Sequence, residues 1–280
     1  EAPLFGLDQD AEEHNRIVGP MAAIWLLVFS LPLFLFTPDG RNTTFTLKQS
    51  VSQGLKEVWM TVRTVSHYSN VALYLLARMI FNDGLVGILI FSGVYAAGTF
   101  GWDAISLLIF GIVTSLSAAI GALIGGVIDD RFGSKVAILI AVGGTAFLLV
   151  IGVSLQPGSL FYFIDVTPDV AVWSSPYFKT LPEVLYFLNT QLFGMFITVG
   201  FASARTMMAR ISPPELVTQF FGLYALSGTA TAFIAPLLVG FFTAFFESQR
   251  AGLASLIGLL VLGFVMMIFV KEEQAAKPDS

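Results

Sequence analysis

Long apolar runs alternate along this chain with short polar breaks, and seven of the runs are long enough to cross a bilayer. They cover approximately residues 17–36, 71–97, 104–128, 136–155, 184–205, 219–245 and 252–270. A helix rises about 1.5 Å per residue, so about twenty apolar residues match the roughly 30 Å hydrocarbon core. The pattern predicts an all-α membrane protein with seven transmembrane helices.

The stretch 37–70 departs from this pattern. Leu47, Val51, Leu55, Val58, Val62 and Val65 recur at steps of four or three and make one apolar helical face. Lys48, Gln49, Ser52, Gln53, Lys56, Glu57 and Arg63 cover much of the remainder. The expectation is an amphipathic helix on the membrane surface or across two helical halves, or a surface helix that only joins them.

Composition agrees. Hydrophobic residues make up 56% of the 280 and charged residues 12%, about half the charge of a soluble domain. Mean hydropathy is +0.81. The absence of cysteine excludes disulfides and thiolate metal sites. His14 and His67 are the only histidines and fall in polar flanks, so no metal or other cofactor is expected. Nothing calls for a nucleic-acid partner.

Lys and Arg sort to one side. Arg41, Lys48, Lys56, Arg63, Arg131, Lys135, Arg205, Arg210, Lys271 and Lys277 fall together, whereas Arg16, Lys179 and Arg250 fall opposite. The rich side is cytoplasmic by the positive-inside rule. That puts Glu1 outside and Ser280 inside, in the plasma (inner) membrane of a prokaryote. An odd span count and a start at Glu1 suggest a truncated chain. The expected order is an extracytoplasmic loop (1–16), the last helix of a first half (17–36), a cytoplasmic linker (37–70), a six-helix bundle (71–270) and a cytoplasmic tail (271–280). The partner would be a missing N-terminal six-helix half.

Between the third and fourth spans stands GVIDDRFGSK, Gly126 to Lys135. The spacing Gly-x3-Asp-Arg-x-Gly-x-Lys resembles the cytoplasmic loop of the major facilitator superfamily. Gly126 and Gly133 let helix ends approach, and Asp130 and Arg131 can pair across a neighbouring helix end. Such pairs, with Lys135, would hold one state of a rocking bundle and break in the other. The plainer reading is a hairpin turn charged because it faces water. The superfamily often has a basic residue where Ser134 stands.

Four blocks extend the resemblance: LARMIFNDG, FSGVYAAGTFG, IDDRFGSK, and ARTMMARISPPE followed by FFGLYALSGTATAFIAPLL. Together they resemble the vacuole-effluxer-like transporters, which include autophagy-related amino-acid exporters of fungal vacuoles and many bacterial members. The resemblance implies a major facilitator type bundle of twelve helices, of which this chain holds roughly the second half. It also implies transport of a small solute, with amino-acid efflux as the fungal precedent.

Charges within the spans are few. Arg78, Asn82 and Asp83 lie in the second span, and a charge at membrane depth is costly unless it faces a cavity or a partner. Arg78 and Asn82 are four apart and share a face. Asp83 lies about 140° around from Arg78, at roughly 100° per residue. Asp83 is therefore the candidate proton-coupling carboxylate or substrate-amine contact. Alternatively, Arg78 snorkels to headgroups and Asp83 pairs with another helix. Asn189 and Gln191 sit early in the fifth span, and Arg205 at its inner end could meet an anionic group or merely anchor the helix. Tyr224 and Ser227 lie in a run of small and hydroxylated residues that suits either a cavity or close packing. Pro236 is expected to kink the sixth span, and Gly121-x3-Gly125 to mark close helix contact.

Tyr162, Trp173 and Tyr177 suit a headgroup belt. Thr180-x-x-Glu183 and Ser212-Pro-Pro-Glu215 read as helix starts, with Pro213 in the first position of the second. An integral-membrane enzyme would need a nucleophile–base pair or metal ligands at depth, and no His or Cys lies in any span. A lipid flippase of the same superfamily and a non-transporting scaffold or receptor are the alternatives to a solute transporter; substrate and membrane lipids are the other expected partners.

Overall fold

The computed structural model describes residues 16–37, 47–167 and 170–273. Most of the expected 1–16 loop, linker residues 38–46 and the tail beyond 273 lie outside the described residues. The chain divides into two compact units, residues 1–54 and 55–280. In the first, α1 (Val18–Phe36) is a 19-residue apolar helix with Pro32 inside it and no buried side chain. Trp25 and Phe29, one turn apart, bring their rings to 4.3 Å.

The predicted linker helix is present as α2 (Leu47–Ser66). Of its apolar face, Val65 is buried and Val62 half exposed. The side chains of Leu47, Lys48, Val51, Leu55, Glu57 and Val58 lie outside the described residues.

The second unit carries α3 (Ser69–Phe100), α4 (Ala104–Phe132), α5 (Ser134–Ser154), α6 (Leu181–Ile211), α7 (Val217–Ser227), α8 (Ile234–Phe246) and α9 (Gln249–Phe269). With α1, six helices among the described residues are long and apolar enough to cross a membrane. The chain is thus a helical membrane bundle. Helices α4 and α6 run past the expected ends at 128 and 205, because their charged last turns project beyond the apolar length without breaking the backbone ladder.

Within the bundle α3 packs along α9, α9 touches α5 and α8, and α6 lies between α4 and α5. Glycines set the closest approaches. A Cβ on Gly121 would fall 2.5 Å from the Met195 Cα, and one on Gly125 2.8 Å from Val199, so the expected glycine contact is the α4–α6 seam. Tyr186 is fully buried and donates its hydroxyl to Ser92 O, joining α6 to α3.

The expected single span 219–245 is two helices. Residues 228–233 form tightened turns in which Ala232 N–H reaches Thr229 O and Ile234 N–H reaches Thr231 O. Pro236 has no N–H for Ala232 O, so the regular ladder is interrupted upstream of it.

The 156–180 segment adds a small antiparallel pair, β1 (Ser159–Leu160) with β2 (Ile164–Asp165). Arg250 stacks over Tyr162 at 4.0 Å, and Trp173 donates Nε1–H to Phe178 O at 2.9 Å. The predicted start of α6 holds: Glu183 accepts the Thr180 N–H at 3.0 Å. The second predicted start does not. Ser212 ends α6, donating its hydroxyl back to Met208 O at 2.6 Å. Pro214 rather than Pro213 opens a short 3₁₀ turn, Pro214–Leu216, ahead of α7.

Candidate functional site

The LARMIFNDG turn of α3 faces the end of α7. Arg78 Nη1 donates to Tyr224 O and to Ser227 Oγ, both at 2.7 Å. Its guanidinium carbon lies 3.5 Å above the Tyr224 ring, a cation–π contact strengthened by exclusion of water. Ser227 Oγ donates on to Tyr224 O at 2.9 Å, and Asn82 Nδ2 reaches Gly228 O at 3.4 Å. A Cβ on Gly228 would stand 3.0 Å from the guanidinium, so this approach needs the glycine. Arg78, Asn82, Tyr224 and Ser227, scattered by about 150 residues, form one cluster. Its cation sits at the carbonyl end of α7, where the helix dipole favours positive charge.

Asp83 lies on the adjoining face of α3. Only 3% of it is exposed, and neither ion pair among the described residues includes it. It does not pair with Arg78, as their 140° separation on one helix requires. The Thr231 hydroxyl lies beside it, yet that buried oxygen makes no hydrogen bond of good geometry. Arg78 Nε is likewise buried without an acceptor. Beside the cluster, a groove of about 370 Å³ runs between the end of α2, α3 and α7, lined by Val65, Leu75, Leu223 and Ser227 among others.

The other candidates lie elsewhere. Asn189 donates to Leu148 O at 3.1 Å and packs on Gly152, which joins α6 to α5. Gln191 donates to Phe187 O within its own helix and accepts from Ser117 of α4 at 3.3 Å. Arg205 is exposed, with no ion pair among the described residues.

The charged hairpin is built differently from its expected form. Gly133 alone separates α4 from α5, at φ +87°. Gly126, Asp130 and Arg131 are exposed, and Asp130 and Arg131 make no ion pair among the described residues. The preceding residue, Asp129, is the buried one. It accepts from Ser134 Oγ at 2.8 Å and pairs with Arg210 Nη2 at 3.0 Å. Arg210 Nη1 lies 2.7 Å from Glu272, just past α9. Glu272 also accepts the N–H groups of Ser134 and Lys135 at 2.8 and 2.9 Å, closing the N-terminus of α5. Lys135 Nζ donates to Ile268 O at the end of α9. Burial pulls the Glu272 carboxyl upward, but the Lys135 N–H, the Arg210 guanidinium and the Ser134 N–H outweigh it and hold its pKa below the ordinary value.

Asp129, Ser134, Arg210 and Glu272 were not among the expected residues. A signal existed for Asp129: Gly121, Gly125 and Asp129 are spaced by four, so the acid shares the glycine seam against α6.

Comparison with known proteins adds the family. The model of the vacuole effluxer Atg22-like proteins matches residues 4–279. The MFS-type transporter YxiO of Bacillus subtilis is 25% identical over 256 residues, covering 90% of this chain and 53% of that protein. Autophagy-related protein 22 of Cryptococcus neoformans is 21% identical, covering 88% of this chain and 42% of its own length. Autophagy-related protein 22-1 of Aspergillus niger is 20% identical, covering 94% and 42%. The chain spans about half the length of these relatives. With its family model matched almost from end to end, the chain belongs to the vacuole effluxer Atg22-like family.

Proposed function

We propose that this chain forms the second half of a secondary transporter that moves a small solute by alternating access, with amino acids exported as the substrate class. The observation that carries the reading is Asp83, a carboxylate buried in a spanning helix with no ion pair among the described residues. A lone buried anion is costly, and a small cation taken up and released once per cycle relieves that cost; the proton is the smallest such cation. Arg78 holds the end of α7 through Nη1 and keeps Nε for an anionic group of the substrate. The Asp129–Arg210–Glu272 clasp fixes the α4–α5 hairpin, leaving Asp130 and Arg131 for contacts with the other half of the transporter. The clasp end faces the cytoplasm in this reading, at the plasma membrane of a prokaryote.

A lipid substrate is the second reading, favoured by the largely apolar groove beside Ser227. The test is flux of a labelled amino-acid mixture in sealed vesicles under an imposed gradient, with the full natural protein and its Asp83→Asn variant. Gradient-driven flux that the variant loses supports the reading. Absence of amino-acid flux in the parent, with transfer of labelled lipid, overturns it in favour of the second.

A further inference from the structure

Apart from the Arg78 Nε–H, a donor, the unused groups near Asp83 are oxygens. The Thr231 hydroxyl lies beside the carboxylate, its one nearby partner among the described residues, and makes no hydrogen bond of good geometry. The tightened connection between α7 and α8 leaves further oxygens free: neither Ser227 O nor Ala230 O receives a backbone N–H. The register is fixed on both sides. Asn82 meets Gly228, and a Cβ on Gly87 would stand 3.0 Å from Ala235, so residue 83 comes level with the middle of the connection.

A carboxylate waiting only for a proton needs no such company. A carboxylate, a hydroxyl and unwound carbonyls together are the oxygen set that binds a small hard cation where a spanning helix is interrupted. One carboxylate balances one positive charge, and the described residues hold no cluster of three His, Cys, Asp or Glu groups for a divalent ion.

We propose that Asp83 and Thr231, with carbonyls of the α7–α8 connection, form a binding site for Na⁺. The inference rests on Asp83 as the coupling group and makes Na⁺, rather than a proton, the ion that neutralises it. Thr231 is then a ligand and the interrupted helix a functional element.

The test is thermal unfolding of the full natural protein in detergent, titrated with NaCl against choline chloride at equal ionic strength. Na⁺ is expected to raise Tm saturably, as a ligand of the native state does, and choline is not. Thr231→Ala should weaken the apparent Na⁺ affinity by about tenfold, by analogy with lost metal-site partners. Thr231→Ser, which keeps the hydroxyl, should restore it. Asp83→Asn should abolish the response; if that variant does not fold, the Thr231 pair still decides. Identical curves in NaCl and choline chloride overturn the site, as does a Na⁺ response unchanged in Thr231→Ala. A stabilisation that follows pH alone and vanishes in Asp83→Asn also overturns it, assigning the carboxylate to a proton and leaving the transport reading standing. Intact Na⁺ binding without amino-acid flux supports the site and overturns the amino-acid reading alone.

Discussion

Arg210 reaches Asp129 across the α4–α6 seam, Nη2 to Oδ1 at 3.0 Å, while its other terminal nitrogen holds Glu272 at 2.7 Å. One guanidinium therefore joins the hairpin, the end of α6 and the segment after α9. The Asp129 side chain is 7% exposed, so removing Arg210 leaves a buried charge held only by the Ser134 hydroxyl among the described residues.

Arg210→Ala should destabilise the protein by about 1–3 kcal/mol, the penalty for an unsatisfied buried group. Asp130→Asn and Arg131→Gln, on exposed side chains without ion pairs among the described residues, should each stay within about 0.5 kcal/mol. Denaturation of the purified variants in detergent checks the contrast. A larger loss at Asp130 than at Arg210 would refute this account of the hairpin.

The Glu272 contacts carry a pH dependence of fixed sign. Its pKa is held below the ordinary 4.5 in the folded protein, so the contribution is complete above that value. It fades as pH falls through the lower folded pKa. Stability should drop on acidification below about pH 4.5, and Glu272→Gln should remove that part of the slope. Thermal melts of both forms across pH 3–7 read it directly.

Gly133→Ala should cost about 1–3 kcal/mol. Its φ of +87° suits glycine, and the added Cβ would stand 2.6 Å from Glu272. Gly126→Ala, where nothing lies within 4 Å, should be near neutral or slightly stabilising because alanine favours helix. Melting temperatures of the pair separate turn geometry from helix propensity.

How much of this could be read beforehand depended on the range of the signal. Apolar runs are local, so the long helices and even the amphipathic α2 were visible. The break after Ser227 was not, because FFGLYALSGTATAFIAP carries no charge, its small and hydroxylated residues suit close packing in an unbroken helix equally well, and only Pro236 hinted at it. Arg78, Asn82, Tyr224 and Ser227 could each be nominated from polarity at membrane depth. That the first two meet the last two depends on α3 packing against α7. Asn189 and Gln191 carried the same polarity signal and instead join helices. In the hairpin, Asp130 drew attention through its motif, whereas burial follows the helical repeat that places Asp129 on the glycine face.

Arg78→Lys should reduce transport at least about tenfold while leaving the protein in the membrane. An ammonium cannot stack on the Tyr224 ring as the planar guanidinium does, and it keeps no directed N–H in place of Nε. Ser227→Ala should have a smaller effect in the same direction, since Tyr224 O still accepts from Arg78. Initial rates in vesicles, normalised to membrane-inserted protein, check both.

Gly121→Ala should loosen the α4–α6 seam at a cost of about 1–3 kcal/mol, because the clash is with Met195 backbone that cannot rotate away. A cysteine pair across the seam should crosslink more slowly in that variant.

Asn70, at the start of α3, grips both backbone groups of Lys271: its Nδ2 donates to Lys271 O and its Oδ1 accepts Lys271 N–H, each at 2.8 Å. The first helix of the bundle is thereby stitched to residues that a ribosome would add about two hundred positions later. The bundle cannot close its seam during synthesis until the whole of α9 has been inserted and the chain beyond it has emerged. Early helices must wait in the bilayer with an open edge, and a chain ending before Lys271 would remain in that unfinished state for surveillance proteases to find.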